Sequence, residues 1–177
     1  MSDDINSTID NLLINGASLP DNIFVSNFEK YLFFDADIGS SDFIDSLRQV
    51  VVACFDEVDS MDVFSSSTLG FIDRIKCDDE LKDEIFRINR ININNDDGGL
   101  IVKDANGRWI AYQRYPADIG VFAINSSKNL SDISGLSDSF FDCSKISNWL
   151  QGKSSHDVDI VKNFGANFLS MLIKNYQ

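Results

Sequence analysis

Apolar residues recur along this chain with two different periods, and the change from one to the other falls close to residue 99. Ser2-Asp3-Asp4 can cap a first turn, and Ile5, Ile9, Leu12 and Leu13 follow at helical spacing before Gly16, which predicts a first helix. Leu19-Pro20-Asp21 is a break, because the residue before a proline avoids the α region. From Asn22 to Phe34 the pattern is ambiguous. Ile23, Phe24, Phe28, Tyr31 and Leu32 fit a helix, which the reading favours, while Tyr31-Leu32-Phe33-Phe34 also fits a short buried strand. Ser41 caps a run in which Phe43, Ile44, Leu47, Val50, Val51, Cys54, Phe55 and Val58 form one stripe, so an amphipathic helix is expected there. Ser65-Ser66-Ser67 reads as a loop, and Leu69 to Ile75 as a short element of unassigned type. Asp78 opens a helix with Leu81, Ile85, Phe86 and Ile88 on its inner face.

Asn94-Asn95-Asp96-Asp97-Gly98-Gly99 is a turn-rich loop, and beyond it the period becomes that of a strand. Leu100 to Lys103 and Arg108 to Arg114 flank an Asn106-Gly107 turn signal, and Ile119 to Ile124 follows after Tyr115-Pro116-Ala117-Asp118. On a strand Trp109 and Tyr112 fall on opposite faces, so one of them is expected to be partly exposed. Residues 126–139 read as polar loop, with helices near Cys143 to Gln151 and from about His156 to Tyr176. Helices, then a meander, then helices define an α+β fold: a small antiparallel β-meander at about residues 100–124, with N-terminal and C-terminal helices packed on one face. At 177 residues a single domain spanning 1–177 is expected.

Charge changes the picture more than composition does. The chain has 28 acids, 24 of them Asp, against 15 Lys and Arg, a net of −13. Residues 1–99 hold 21 acids and 7 bases, whereas residues 100–177 hold 7 acids and 8 bases. Direct binding to nucleic acid or to an anionic membrane needs clustered cations, so both are disfavoured and a basic protein partner is favoured. The densest stretch flanks the second helical block, and Asp35, Asp37, Asp42, Asp45, Asp56, Glu57, Asp59 and Asp62 are the candidate partner-binding residues. Asp79, Glu80, Asp83 and Glu84 have a structural reason of their own, since acids in a first turn complement the helix dipole. Three widely spaced cysteines, no basic and apolar leader, and no apolar run near 20 residues suggest a reduced, cytoplasmic setting.

Candidate chemistry is sparse. His156 is the only histidine, and three consecutive residues Ser155-His156-Asp157 cannot converge as a nucleophile, base and orienter. Read as a calcium loop from Asp35, position 6 is Ser40 instead of Gly and position 12 is Ser46 instead of Glu. No cofactor or metal site is expected from these patterns.

Tyr31-Leu32-Phe33-Phe34-Asp35-Ala36-Asp37, an apolar run ending in D-x-D, resembles the opening motif of the haloacid-dehalogenase phosphatases. That resemblance implies a Mg²⁺-dependent phosphatase with Asp35 as nucleophile and Asp37 as general acid, Ser65 in a second motif and Asp78, Asp79 and Asp83 in an acidic fourth. It also implies a parallel sheet alternating with helices. Over the whole chain, the size, acidity, richness in Asn, Asp, Ser and Ile, and helix-meander-helix layout resemble bacterial immunity proteins of contact-dependent growth inhibition and polymorphic toxin systems. The early Leu19-Pro20-Asp21 is similar to a segment of the SUKH class among them. This second resemblance implies a non-enzymatic inhibitor whose partner is a cognate basic toxin domain, a nuclease by preference. A regulatory adaptor is the remaining alternative.

Overall fold

The computed structural model describes residues 9–55, 58–95, 98–115, 117–125 and 138–177. Among these, six strands form one sheet: β1 (Lys30–Phe34), β2 (Ser60–Ser65), β3 (Phe71–Lys76), β4 (Leu100–Asp104), β5 (Trp109–Tyr112) and β6 (Gly120–Ile124). Their spatial order is β1-β6-β5-β4-β2-β3, and every neighbouring pair is antiparallel. Five helices accompany them: α1 (Ser41–Cys54), α2 (Leu81–Asn95), α3 (Cys143–Leu150), α4 (Ser155–Phe164) and α5 (Ala166–Tyr176). The α+β class is as expected, and the meander forms the centre of the sheet.

The sheet is twice the expected size because three strands lie outside the meander. Residues 30–34 adopt the strand alternative, and the helix favoured for 22–34 does not form: Ile23 and Phe24 enter the core from irregular chain, with Phe24 bridging to Leu13. The Tyr31-to-Phe34 run has large side chains on both sides, which suits a strand buried on two faces and leaves no polar stripe for a surface helix. Ser60–Ser65 and Phe71–Lys76 form a hairpin on the other flank, with Ile72 bulged out of register against Val63 and Phe64. The first predicted helix begins outside the described residues and does not continue through Leu12 and Leu13, since Leu13 forms a β-bridge with Phe24. Within them, only Ile9 and Asp10 are helical before a turn.

Both faces of the sheet are covered, in contrast to the expected single covered face. One core joins Leu32, Phe34, Met61, Val63, Val102, Trp109 and Phe122 of the sheet to Phe43, Leu47 and Val50 of α1 and to Leu81, Ile85 and Ile88 of α2. The other joins Phe33, Phe64, Ile101, Ile110, Tyr112 and Val121 to Ile9, Leu13, Leu19 and Ile23 of the N-terminal segment and to Ile146, Trp149, Leu169, Leu172 and Tyr176 of α3 and α5. Trp109 and Tyr112 do face opposite ways, yet both are buried, since neither face is open. This double cover explains why β4, β5 and β6 read as almost continuous apolar runs.

The C-terminal helical stretch divides at Gly165, whose φ of +88° is a conformation that favours glycine. Upstream, Ser154 and Asp157 cap α4 reciprocally, each side chain accepting from the other's backbone N–H at 3.1 and 3.0 Å. His156 is exposed in that first turn. No helix among the described residues is long and apolar enough to cross a membrane.

Candidate interaction site on the acidic helical layer

The site begins with a loop fixed by the end of β5. Gln113 is buried, and its side-chain amide donates to the Ala36 carbonyl (3.1 Å) and accepts from the Ile38 N–H (2.8 Å). Asp37 accepts from Gly39 N (2.8 Å) and from Asn89 Nδ2 on α2 (3.1 Å). Burial, with the charge and hydrogen bonding of Asp37, pushes the Tyr115 hydroxyl up to about 12, so it stays protonated. Gly39 lies so close to Asn89 that a Cβ there would fall 2.2 Å from the amide nitrogen. Ser40, one residue before the expected cap, accepts from Phe43 N (3.2 Å) and starts α1. The loop thereby presents Asp35 and Asp42 to solvent.

α1 and α2 run antiparallel along this face, with Gly39 beside Asn89, Asp45 paired to Lys82 (2.5 Å) and Arg48 to Asp79 (3.9 Å). Asp78, Asp79 and Glu80 precede α2, Asp83 and Glu84 occupy its first turn, and the Asp78 carboxylate accepts from Glu80 N (3.0 Å). The Asp59 carbonyl receives the Cys77 N–H (3.0 Å), which brings exposed Asp59 to the same end of the molecule. Half-buried Cys77 sits at this end; burial pushes its thiol up to about 11, Arg48 opposes the rise, and Asp104, Asp59 and Asp78 add to it. It is a neutral thiol at physiological pH, not an activated nucleophile.

The eight expected contact residues therefore separate into five groups. Asp35, Asp42 and Asp59 are exposed on the layer, and Asp37 is exposed but holds the loop together. Asp45 shares its charge with Lys82. Asp56 and Glu57 lie outside the described residues. Asp62 does not belong to the surface at all: its side chain is 2% exposed and is held by Arg74 (2.5 Å) and by Lys103, itself 1% exposed, at 3.2 Å. The strand period explains the correction. Asp62 points to the same side of β2 as Phe64, under the second core, where Lys103 also lies 5.9 Å from the Phe64 ring.

Conversely, Asp78, Glu80 and Asp83 are exposed beside α1 and belong to the layer, although helix-dipole logic alone accounts for their type. Phe86, expected on the inner face of α2, is 54% exposed, with Arg90 lying 5.8 Å from its ring; Val52 of α1 is 59% exposed. The signal for Phe86 was its position one residue past Ile85: two neighbouring helical residues differ by about 100°, and Ile85 with Ile88 and Leu81 already fill the inward stripe.

The residues of the phosphatase-like pattern are not brought together. Three strands, β6, β5 and β4, separate β1 from β2, so Ser65 lies about 19 Å across the sheet from the Asp35 end. The sheet is antiparallel throughout, unlike that family's. Among the described residues no group of three His, Cys, Asp or Glu side chains could hold a metal ion. Comparisons with family models, with curated proteins and with solved structures return no match.

Proposed function

We propose that this chain is an immunity protein that works in the cytoplasm by binding a basic toxin domain, preferably a nuclease, and covering its positive surface. The observation that carries the reading is the uneven charge of the two helical layers. α1, α2 and the loops leading into them, over residues 35–55, 58–59 and 77–95, contribute ten acids and four bases. The three C-terminal helices and their flanks, residues 138–177, contribute four of each. Concentrating like charge on one layer costs stability through self-repulsion, so a selected partner on that layer is a better account than solubility.

A nuclease must keep cations exposed for phosphates. Carboxylates on a rigid two-helix face are suited to occlude them, with Phe86 and Val52 as apolar contacts among the charges. The structure's surface of 9123 Å² leaves ample room for a standard interface of about 800 Å² on one partner. Co-expression tests the proposal: in a panel of basic nuclease toxin domains, at least one should be rendered harmless by this chain and co-purify with it. Failure to protect against any domain, with turnover of an aryl phosphate that is lost in Asp35→Asn, would replace this reading with the phosphatase one.

A further inference from the structure

Two Asn-Gly pairs stand in turns of this fold, Asn15-Gly16 in the N-terminal segment and Asn106-Gly107 between β4 and β5. An asparagine followed by glycine is open to self-modification, because no Cβ on the second residue hinders its backbone nitrogen from reaching the asparagine side chain. The two turns treat that nitrogen differently.

Between β4 and β5 it is engaged. The Gly107 N–H donates to the Asp104 carbonyl (2.9 Å), and the Asp104 carboxylate accepts from the N–H groups of Asn106 (3.1 Å) and Arg108 (3.3 Å) on either side. Arg108 Nε in turn holds that carboxylate at 2.8 Å. In the N-terminal segment the Ala17 N–H donates to the Ile14 carbonyl (3.1 Å), which closes a turn with Asn15 and Gly16 at its two middle positions. Gly16 has a φ of +78° while Asn15 stays out of the positive-φ region, the geometry of a type II turn. Asn15 and Gly16 are both exposed, and neither the Gly16 N–H nor the Asn15 side chain makes a hydrogen bond among the described residues. A Cβ placed on Gly16 would meet nothing beyond its chain neighbours within 4 Å, so there is room for the backbone to move.

We infer that Asn15 is a site of spontaneous covalent modification in the folded protein, whereas Asn106 is protected. Solvent hydroxide removes the Gly16 amide proton, and the freed nitrogen attacks Asn15 Cγ. The bond from Cγ to the side-chain nitrogen breaks, that nitrogen leaves as ammonia by taking a proton from water, which regenerates hydroxide, and a cyclic succinimide remains. Water then opens the ring at either carbonyl to give Asp or isoaspartate, so the sum is asparagine plus water going to acid plus ammonia. At Gly107 the proton becomes available only when the turn opens, the same condition that slows amide exchange. Modification of Asn15 adds a negative charge and, as isoaspartate, one more backbone carbon to the turn. That turn joins the strand-like segments in which Ile14 N donates to the Ile23 carbonyl (2.8 Å) and which carry Leu13 and Ile23 into the second core. The site is separate from the acidic layer and does not depend on the toxin reading.

Incubation of the full chain in mildly alkaline buffer, with peptide mass mapping and isoaspartate detection at both sites, tests the inference. In the folded protein Asn15 should convert at least about tenfold faster than Asn106, on the order of what one engaged hydrogen bond is worth, and in urea the two rates should agree within about twofold. Native-state amide exchange should rank Gly16 well ahead of Gly107. Asn15→Gln should abolish the main product without shifting the thermal melt, and Asn106→Gln should leave that product unchanged. Equal native rates at the two sites, faster conversion at Asn106, an Asn15 that stays intact while the urea-unfolded chain converts at both sites, or a main product that persists in Asn15→Gln would overturn it.

Discussion

Asp62 and its two cationic partners show how far a single residue can depart from its sequence neighbourhood. Flanked by Asp56, Glu57 and Asp59, it reads as part of an acidic surface, but Lys103, 41 residues away, crosses from β4 to meet it beneath the second core. Burial works to raise the Asp62 pKa, and the hydrogen bonds and charges of Arg74 and Lys103 outweigh it, leaving the carboxyl below its usual value of 3.8. Removing the carboxylate strands a buried ammonium, so Asp62→Ala should cost about 3–5 kcal/mol in urea unfolding, whereas Asp62→Leu combined with Lys103→Met should cost much less. The depressed folded pKa also sets a pH signature. The carboxylate's contribution is complete above the unfolded value of about 4 and is lost as pH falls through the folded one. Asp104 behaves alike: burial is outweighed by hydrogen bonds and charge from Arg108, which also packs over the Phe55 ring at 4.4 Å. Urea midpoints should therefore fall as pH drops below about 4, with a shallower fall in Asp62→Asn.

Among the elements, those whose pattern is local were legible. The Asp104-to-Gly107 turn forms where Asn-Gly signals it, and β4, β5 and β6 match the expected meander to within a few residues. α1 and α3 begin within a residue of their expected starts, since caps and apolar stripes are written in consecutive residues. The hairpin of β2 and β3 was not legible. Phe64 falls on the same side as Ser60 and Asp62, the bulge at Ile72 shifts the alternation of β3, and the partner β4 becomes apparent only once the sheet is assembled. The acidic layer was legible as charge but not as a surface, because only tertiary packing removes Asp62 from it and adds Asp78, Glu80 and Asp83. The break between α4 and α5 has a cause that can be measured. At Gly165 a Cβ would meet nothing within 4 Å, so any penalty on Gly165→Ala comes from the positive φ alone. That variant should lose about 1–3 kcal/mol, with Ala166→Gly, just inside α5, losing no more than about 1 kcal/mol.

At the scale of the whole molecule, the sheet acts as a partition. Its first face carries α1 and α2 with most of the exposed excess of acid, and its second carries the charge-balanced C-terminal helices beside an N-terminal segment holding Asp10, Asp21 and Glu29. Internal pairs such as Asp45 with Lys82 and Arg48 with Asp79 hold the two helices in register while leaving Asp42, Asp78, Glu80 and Asp83 for a partner. A field of this kind acts mainly on association, since steered encounters reach about 10⁸–10⁹ M⁻¹s⁻¹ at low salt and slow as salt screens them. Reversing Asp42 and Asp83 leaves both internal pairs intact and costs the dipoles of α1 and α2 about 0.3–1 kcal/mol each, so the fold should survive. The decisive measurement is the stopped-flow association rate of a toxin domain that the chain neutralises, taken across ionic strength for the wild type and for Asp42→Lys with Asp83→Lys. The wild-type rate should fall at least about tenfold between about 0.02 and 0.5 M salt, and the variant should start about tenfold lower and vary little. Equal rates for the two proteins, independent of salt, would contradict the claim that the acidic layer brings the partner in.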